Sequence, residues 1–351
     1  LFVGIGAASI VSRRLGAGDD ETANRAAGTA LTTSVLLGLL LLAVAIIFMD
    51  PILMLFGATE QILPLGRDYL TWVMLGSPFF AFTVASNQLV RSEGNMRLSM
   101  FTMILGSVVN AGIDPILIFD WGAGLGLKGA AISTMIANIT TCLFMLSYFL
   151  RGKSLLKIKP AYLMPDLSLY PEMFGIGASS FVRTMAGSLL TIVANNTITE
   201  YGDELHLAVL GISMRITIFF LMPLFGVVQG LRPILGFNYG AALMDRTKRA
   251  LMTALKFSVL YCTVCFIPLM LMPDLIIGAF GDDPSLSTVG GPALRIIVLG
   301  MPIIGLQVIG ASLFQALGKA FAAMFLSTSR QVLFLVPLIL ILPHFMGIDG
   351  V

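Results

Sequence analysis

Long apolar runs, separated by short polar or Gly/Pro-rich connections, dominate this sequence. A helix that crosses a membrane needs about 20 apolar residues. Ten runs predict membrane helices: 1–14 (shortened by the start of the chain), 28–49, 69–90, 98–119, 129–150, 174–199, 207–231, 251–273, 293–316 and 321–344. The longest connection, 151–173, contains four basic residues and three prolines, and it is interpreted as a linker.

Composition supports this interpretation. Hydrophobic residues make up 57% of the 351 residues and charged residues only 11%, with a mean hydropathy of +0.94. Soluble domains carry about 25% charged residues. We therefore expect an all-α, multi-pass membrane protein whose surroundings are the lipid bilayer and which has no nucleic-acid partner.

Basic residues collect on one side of the predicted helices. When the connections are assigned to alternate sides, one side has three, namely Arg67, Lys128 and Arg295, and the other has thirteen, namely Arg13, Arg14, Arg25, Arg91, Arg97, Arg151, Lys153, Lys157, Lys159, Arg246, Lys248, Arg249 and Lys319. Short cytoplasmic loops are enriched in Lys and Arg. The side with thirteen is therefore predicted to be cytoplasmic.

The sequence also repeats itself at an offset of 224 residues without a gap. The matched positions include glycines and a proline: Gly6 with Gly230, Gly16 with Gly240, Gly76 with Gly300, Pro78 with Pro302 and Gly94 with Gly318. A conserved spacing of this kind indicates a duplicated domain. We predict an N-terminal bundle at 1–150, a cytoplasmic linker at 151–173 and a C-terminal bundle at 174–351.

The register of the repeat predicts further helices outside this chain. The run at 174–199 has no counterpart in the first half, and Val351 aligns with Leu127, just before the run at 129–150. We therefore expect a twelve-helix protein of which ten helices lie here, the first and the last being absent. Because six helices per half is an even number, the two halves are expected to be parallel repeats.

The stretch from Gly230 to Ala241 is predicted to end a membrane helix. Pro233 and Gly236 loosen a helix end, and Asn238 and Gly240 suit a turn. The spacings Gly226-x-x-x-Gly230 and Gly236-x-x-x-Gly240 let helices approach closely. A hinge at Pro233 is the alternative interpretation.

Asp114 is the acidic residue that lies well inside a predicted span. Asn110, four residues earlier, shares its helix face. A carboxylate inside a membrane is costly, and it usually lines a cavity or an ion pathway. Ser133 and Thr134 on the next helix are candidates for additional oxygen ligands. The alternative is a hydrated or capping acid near the helix end, next to Pro115.

Scattered polar residues and methionines in the second half are candidates for a substrate cavity. Because Met is adaptable, a cavity lined by methionines and a few amides suits varied apolar cations; the candidates are Asn195, Gln229, Gln307, Met222, Met185 and Arg215. Hydrogen bonding between helices is the alternative role for the amides. Arg183, Arg215 and Arg330 also lie inside spans, where they serve structure or contact lipid or substrate.

The other motifs are not expected to form a redox, cofactor, metal or catalytic site. Cys262 and Cys265 form a C-x-x-C spacing but are interpreted, with Cys142, as buried thiols. The G-x-G-x-x-G spacing at 124–129 lacks the preceding strand that dinucleotide binding needs. His206 and His344 are isolated, so neither a metal site nor a catalytic site is predicted, and the protein is not expected to be an enzyme.

Two motifs resemble the multidrug and toxic compound extrusion (MATE) family. Gln229-Gly230-x-x-Pro233-x-x-Gly236-Phe237-Asn238-Tyr239-Gly240-Ala241 is similar to that family's eighth helix. Arg91-x-Glu93-Gly94, followed by Asn110-x-x-x-Asp114-Pro115, is similar to its fourth and fifth helices. The resemblance implies V-shaped bundles, alternating access and export driven by Na⁺ or H⁺. In one branch the cation site pairs an Asp of the first helix with the two residues that correspond to Asn110 and Asp114.

The resemblance implies a secondary antiporter that exports drugs or cationic or apolar metabolites. We expect a monomer in a bacterial or archaeal cytoplasmic membrane, with Na⁺ or H⁺ as coupling ion and no other cofactor. The first alternative is a flippase for lipid-linked sugars, which the intramembrane arginines leave open. The second is a membrane-embedded enzyme or scaffold, although no paired acids, metal ligands or nucleophile with its base support catalysis.

The charge asymmetry gives a testable orientation. Single cysteines placed in the linker 151–173 and in the loop 120–128, on a background without the native cysteines, are expected to react differently with an impermeant maleimide in intact cells. The periplasmic loop should be labelled and the cytoplasmic linker should not, because the reagent does not cross the membrane. Labelling of the linker in intact cells would reverse the predicted orientation.

Overall fold

The computed structural model describes residues 2–56, 58–280 and 284–350, and this part of the chain is built from helices with no β-strand. Contacts divide the chain into two compact units, Leu1–Gly177 and Ala178–Val351. We call them unit 1 and unit 2. The division lies within a single long helix, Tyr170–Tyr201.

Unit 1 contains seven α-helices before that long helix. They are α1 (Phe2–Gly16), α2 (Asp20–Ile47), α3 (Met49–Leu55), α4 (Leu63–Leu75), α5 (Ser77–Ser92), α6 (Met96–Ile118) and α7 (Gly126–Leu150). Two 3₁₀ turns, Pro160–Leu163 and Leu167–Leu169, lie in the predicted linker and precede α8 (Tyr170–Tyr201).

Unit 2 contains the rest of α8 and eight further α-helices. They are α9 (Glu204–Gly240), α10 (Met244–Leu271), α11 (Pro273–Gly278), α12 (Pro284–Val298), α13 (Met301–Ala316), α14 (Ala320–Ser329), α15 (Val336–Ile341) and α16 (Pro343–Met346). A π-helical turn, Arg330–Leu335, joins α14 to α15, and a 3₁₀ turn covers Gly347–Gly350.

The helices confirm a multi-pass, all-α membrane protein. Within the described residues, seven helical segments and two bent helix pairs are long and apolar enough to cross a membrane. The remaining predicted run, 1–14, corresponds to α1, which has 15 residues. All ten predicted runs are therefore helical, and two of them bend by more than 40° at a break that the sequence analysis did not predict.

Both breaks have a proline as their local cause. The run predicted at 69–90 bends by 44° between α4 and α5, and the run at 293–316 bends by 42° between α12 and α13. Pro78 and Pro302 follow the breaks. Because proline has no amide hydrogen, each removes one bond of the helical ladder and favours a kink.

The helix predicted at 207–231 extends further, and it ends inside the stretch Gly230–Ala241 that was predicted to end it. Helix α9 continues through Pro223 and Pro233 as far as Gly240. The chain turns only afterwards, where the Leu243 amide donates to the Asn238 carbonyl at 2.9 Å. Each proline interrupts a single bond of a 37-residue helix, so the remaining ladder carries the helix past it.

The duplicated sequence register is confirmed by the element bounds. Helices α2 and α10 both have 28 residues, α5 and α13 both have 16, and in each pair the first residues are 224 positions apart. The two bends also match in position. Gly18 and Gly94 have positive φ angles of 76° and 89°, and so do their counterparts Ala242 and Gly318, with 57° and 77°.

The segment between α7 and α8 packs along α2 in unit 1. The Asn24 side chain accepts a hydrogen bond from the Lys157 amide at 2.8 Å, and Thr32 donates to the Leu163 carbonyl at 2.8 Å. A β-carbon at Gly28 would lie 2.0 Å from the Tyr162 carbonyl oxygen. Any larger residue at position 28 would therefore displace the linker.

The cysteines are buried thiols, as the sequence analysis expected for the C-x-x-C spacing. Cys262 and Cys265 are buried in the core of unit 2, and Cys142 is half-buried. All three are free. A β-carbon at Gly305 would lie 3.3 Å from the Cys262 sulfur, so α10 and α13 pack closely there.

Ala242 gives a test of the repeat. Among the described residues, it is the one non-glycine residue with a positive φ angle. The 224-residue repeat pairs it with Gly18. A left-handed conformation costs a residue with a β-carbon about 1–2 kcal/mol. We expect Ala242→Gly to raise stability by about 1 kcal/mol and Gly18→Ala to lower it by a similar amount.

Thermal unfolding of the two purified variants in the same detergent checks this pair. The apparent Tm should rise for Ala242→Gly and fall for Gly18→Ala. Shifts of the same sign in both variants would contradict the inference that the two turns share one strained geometry.

Candidate functional site

The candidate cation site lies between α6 and α7 of unit 1, which pack closely as a hairpin. A β-carbon at Gly129 would lie 2.5 Å from the Leu117 carbonyl oxygen, so only glycine allows this approach. Helix α6 begins after Asn95, whose side chain accepts a hydrogen bond from the Leu98 amide at 3.1 Å. The close packing presents side chains of the two helices directly to each other.

Asp114, Ser133 and Asn110 form one hydrogen-bonded cluster in this hairpin. The Ser133 hydroxyl donates a hydrogen bond to the Asp114 carboxylate. The Asn110 amide nitrogen donates to the Ser133 oxygen at 2.9 Å. Ser133 is fully buried, whereas Asp114 and Asn110 are half-buried. The structure therefore brings together three of the four predicted residues.

Thr134 is not linked to the carboxylate by a hydrogen bond in the described part of the chain. Its hydroxyl donates to the Ala130 carbonyl of its own helix at 3.0 Å. Consecutive helix residues point about 100° apart, so when Ser133 faces α6 its neighbour Thr134 faces elsewhere. Its predicted role as an ion ligand stays a prediction.

The cluster has a hydrogen-bonding arrangement for each protonation state of the carboxyl group. When Asp114 is ionised, the Ser133 hydroxyl donates to it. The same hydroxyl lies 3.2 Å from the Ala130 carbonyl oxygen. It can therefore donate to Ala130 when a protonated carboxyl group donates to Ser133 instead. Pro115 leaves the carbonyl of Ala111 without its helical donor, which adds an oxygen in the adjoining turn.

The predicted cavity residues are spread over three helices of unit 2. Met185 and Asn195 lie on α8, Arg215, Met222 and Gln229 on α9, and Gln307 on α13. The two methionines are exposed, with 58% and 60% of their surface accessible. No hydrogen bond among the described residues joins two members of this set. The amide nitrogen of Gln307 donates to the Leu326 carbonyl at 2.9 Å, which is a bond between helices.

The eighth-helix motif lies within the last turns of α9. Pro233 and Gly236 are buried, and Gly240 is the last residue of the helix. Gly226 and Gly230 have no atom of the described chain within 4 Å of a β-carbon built on them. The interpretation that this glycine pair permits a close helix approach is therefore not supported within unit 2. A hinge role for Pro233 stays a prediction.

A second polar cluster, which the sequence analysis did not assign a role, lies at the other end of α7. Glu93 accepts hydrogen bonds from the Tyr148 hydroxyl at 2.7 Å, the Ser154 hydroxyl at 2.6 Å and the Leu155 amide at 2.8 Å. It thereby joins the ends of α5 and α7 to the linker. In the sequence, the Arg91-x-Glu93-Gly94 motif is the signal for this cluster. The residues that hydrogen-bond Glu93 lie more than 50 positions away along the chain, so the motif alone does not identify them.

Arg91, from the same motif, is held by neutral partners. Its Nε donates to the Ser99 hydroxyl at 2.7 Å, and Ser99 in turn donates to the Asn87 side chain at 3.0 Å. These bonds fix the start of α6 against α5. Both motif residues therefore position the hairpin that carries Asp114.

The remaining motifs occupy surface positions. No group of three or more potential metal ligands occurs among the described residues. His206 lies 2.7 Å from the carboxylate of Asp203, and hydrogen bonds from His206 lower the pKa of Asp203. Gly124 and Gly126 have positive φ angles in and just after the loop between α6 and α7, where they shape the turn.

Proteins with sequences similar to this chain include multidrug export proteins. The multidrug export protein MepA of Staphylococcus aureus (strain MRSA252) is 26% identical over 348 residues, which cover 99% of this chain and 76% of MepA. MepA of Staphylococcus saprophyticus subsp. saprophyticus has the same identity and coverage.

Solved structures show the same fold. The MATE multidrug transporter DinF-BH, in complex with R6G, is 37% identical with a TM-score of 0.88, covering 99% of this chain and 78% of DinF-BH. A MATE structure in the bent conformation has a TM-score of 0.93 at 23% identity, with the same coverage of both chains.

A family model completes the assignment. The MatE model matches residues 1–116 and 180–341, a range that includes Asn110 and Asp114 and the whole Gly230–Ala241 stretch. The chain therefore belongs to the MATE family, which is a family of multi-pass membrane transporters and not a class of enzymes.

Proposed function

We propose that this protein is a secondary active exporter of drugs or cationic or apolar metabolites, coupled to Na⁺ or H⁺ by alternating access. The observation that carries the proposal is the intramembrane carboxylate of Asp114, bonded to Ser133 and close to Asn110. The similarity to MepA, a multidrug export protein, and to DinF-BH, a MATE multidrug transporter solved in complex with R6G, supports the substrate class. We propose a monomer in a bacterial or archaeal cytoplasmic membrane, with no cofactor besides the coupling ion.

The coupling step is a change of charge at Asp114. A bare carboxylate in a low-dielectric region is costly, so it takes up a proton or coordinates a cation. Loading changes the local charge by one unit. The loaded and unloaded protein can then favour different conformations, provided that the cation binds those conformations unequally.

The hydrogen-bonded cluster defines what loading does to the hairpin. Ser133 contributes from α7, and Asp114 and Asn110 contribute from α6. Protonation reverses the donor and acceptor roles of the Ser133 hydroxyl, and Na⁺ would compete for the same oxygens. In either case the bond between α6 and α7 is the contact that the ion changes.

Residues of unit 2 are proposed to contact the substrate. Met185 and Met222 are exposed and offer flexible, polarizable surfaces. Asn195, Gln229 and Arg215 add polar groups on the same two helices. Because the amide nitrogen of Gln307 is already bonded to Leu326, we propose that its oxygen is the group left for the substrate.

Asp114→Asn tests the coupling site. It keeps the shape of the side chain but removes the charge that a cation would neutralise. We expect efflux of R6G, a fluorescent cation, from proteoliposomes to be abolished under an imposed Na⁺ or H⁺ gradient. Equilibrium binding of R6G in detergent should remain within about tenfold of wild type, which corresponds to about 1.4 kcal/mol.

Asp68→Asn is the matched control, because Asp68 is an exposed acid on α4. It should transport at the wild-type rate under both gradients. Wild-type transport by Asp114→Asn would make Asp114 a structural acid and would place the coupling ion elsewhere.

Ser133→Ala tests the hydrogen-bonded link between the two helices. The variant removes the hydroxyl that donates to Asp114 and accepts from Asn110. Two hydrogen bonds are lost, one of which involves a charged group. We expect the ion concentration that gives half-maximal efflux to shift by about tenfold, while some transport persists.

Ser107→Ala serves as the comparison, since the Ser107 hydroxyl bonds only the Met103 carbonyl of its own helix, at 3.1 Å. An unchanged ion dependence in Ser133→Ala would show that the serine bridge has no part in coupling.

A further inference from the structure

Positive charge collects on the surface of residues 151–169, which we call the linker segment. Four of its side chains are basic and exposed, namely Arg151, Lys153, Lys157 and Lys159. Its one acidic residue, Asp166, lies 3.9 Å from the guanidinium group of Arg25 on α2, which offsets its charge. None of the four basic side chains forms an ion pair with a described carboxylate. The linker segment therefore presents a positively charged surface.

Exposed apolar side chains accompany these charges. Leu155, Met164 and Leu167 are 67%, 77% and 73% exposed, and Leu163 is 40% exposed. A segment that lies in the membrane–water interface combines the same two features, because its Lys and Arg side chains face the headgroups and its apolar side chains face the acyl chains. The composition of this surface therefore fits the edge of a bilayer better than open water.

Other apolar side chains of the linker segment fix it to unit 1. Leu156 and Leu169 are buried in the hydrophobic core that residues of α1, α2, α5 and α7 form. Leu155, the neighbour of Leu156, is exposed. One side of the linker segment is therefore held on the helices while the other side faces outward.

The first turns of α2 mark the boundary of the bilayer. The helix has 28 residues, and the hydrocarbon core takes about 20 of them. The helix begins with the charged residues Asp20, Glu21 and Arg25, and its predicted apolar run begins at residue 28. Residues 20–27 therefore lie at the level of headgroups and water, and the hydrocarbon begins near residue 28.

Contacts with α2 place the linker segment across this boundary. The Lys157 amide donates to the Asn24 side chain at 2.8 Å, outside the apolar run. The Leu163 carbonyl accepts a hydrogen bond from Thr32, inside the run, at 2.8 Å. These two α2 residues are eight positions apart, which corresponds to about 12 Å. The basic part of the linker segment therefore lies at headgroup level, and the part with Met164 lies beside the first acyl carbons.

The repeat indicates on which side of a unit helix α8 packs. In unit 2, Gln315 of α13 donates to Ser179 of α8, and Gly187 of α8 lies beside the π turn. The counterparts of α13 and the π turn are α5 and α6. The repeat therefore directs a counterpart of α8 to α5 and α6, and not to the side of α2 that carries the linker segment.

We propose that the linker segment is a membrane-surface site that binds the headgroups of anionic phospholipids. Its four basic side chains attract the negative headgroups. Its exposed apolar side chains Leu163, Met164 and Leu167 lie among the upper acyl carbons. The site does not depend on transport or on Asp114, and it gives a ligand to a segment that the sequence analysis interpreted as a linker.

A fluorescent label at position 164 tests the depth of the linker segment. Met164→Cys and Lys157→Cys, each on a background without the native cysteines, are labelled and reconstituted in vesicles of phosphatidylcholine and phosphatidylglycerol. Bromine on the acyl chains quenches a fluorophore that lies near it. The label at position 164 should be quenched more strongly than the label at position 157, because its neighbours on α2 lie about 12 Å deeper. Equal quenching at the two positions would contradict this placement.

Bromine on one lipid at a time tests the selectivity for charge. At equal fractions, brominated phosphatidylglycerol should quench the label at position 164 about twofold or more over brominated phosphatidylcholine, because the basic side chains concentrate anionic lipid around the segment. Exchange of all four basic residues of the segment for Gln should abolish this preference. The matched control exchanges three exposed basic residues at the start of α10 for Gln and should leave the preference unchanged; they are Arg246, Lys248 and Arg249.

High salt takes the place of the fourfold variant if that variant does not reconstitute. Salt screens surface charge, so the preference for phosphatidylglycerol should then fall in the protein with its basic residues intact. Absence of quenching at position 164 by either lipid would overturn the proposal, because protein or water would then cover the side chain. Equal quenching by the two lipids would overturn it as well, and so would a preference that survives the Gln exchange or, where salt decides, high salt.

Discussion

Hydrocarbon offers no hydrogen bonds, so each interruption of a membrane helix must be satisfied by the protein itself. Several polar side chains of this chain donate to backbone carbonyls within the spans. Tyr261 donates to the Phe220 carbonyl, Asn238 to the Ile234 carbonyl, and Gln307 to the Leu326 carbonyl. These residues are accounted for by structure. The charged side chains of Asp114, Arg183 and Arg330 donate no such bond to a backbone carbonyl in the described part of the chain.

Two of the charged groups inside the predicted spans differ in sign. Unit 1 carries the carboxylate of Asp114, and unit 2 carries the guanidinium groups of Arg183 and Arg330. The repeat places Leu338 at the position equivalent to Asp114, and Gly106 at the position equivalent to Arg330. Duplication therefore preserved the backbone geometry, through matched turns and bends, while the chemistry inside the two units diverged.

Helix α7 connects the candidate cation site to the end of unit 1 that meets the linker. Ser133 contacts Asp114 near one end, and Tyr148 contacts Glu93 near the other. Fifteen helical residues separate them, which corresponds to about 22 Å at 1.5 Å per residue. Glu93 also holds the linker through Ser154 and Leu155. Under the proposed coupling, this helix, hydrogen-bonded at both ends, is the route by which a change at Asp114 would reach the linker.

The sequence by itself determined the positions of the helices, the register of the repeat, and the shared face of Asn110 and Asp114. These properties depend on local patterns: the length of apolar runs, the spacing of Gly and Pro, and the period of one helix. Only the tertiary structure decided that Ser133 and not Thr134 bonds the carboxylate, that α9 continues past Pro233, and that α8 passes next to Gln331 of the π turn. The physical reason is that a helix's rotation and extent are set by the sum of its contacts with neighbouring helices, and those contacts join residues far apart in the chain.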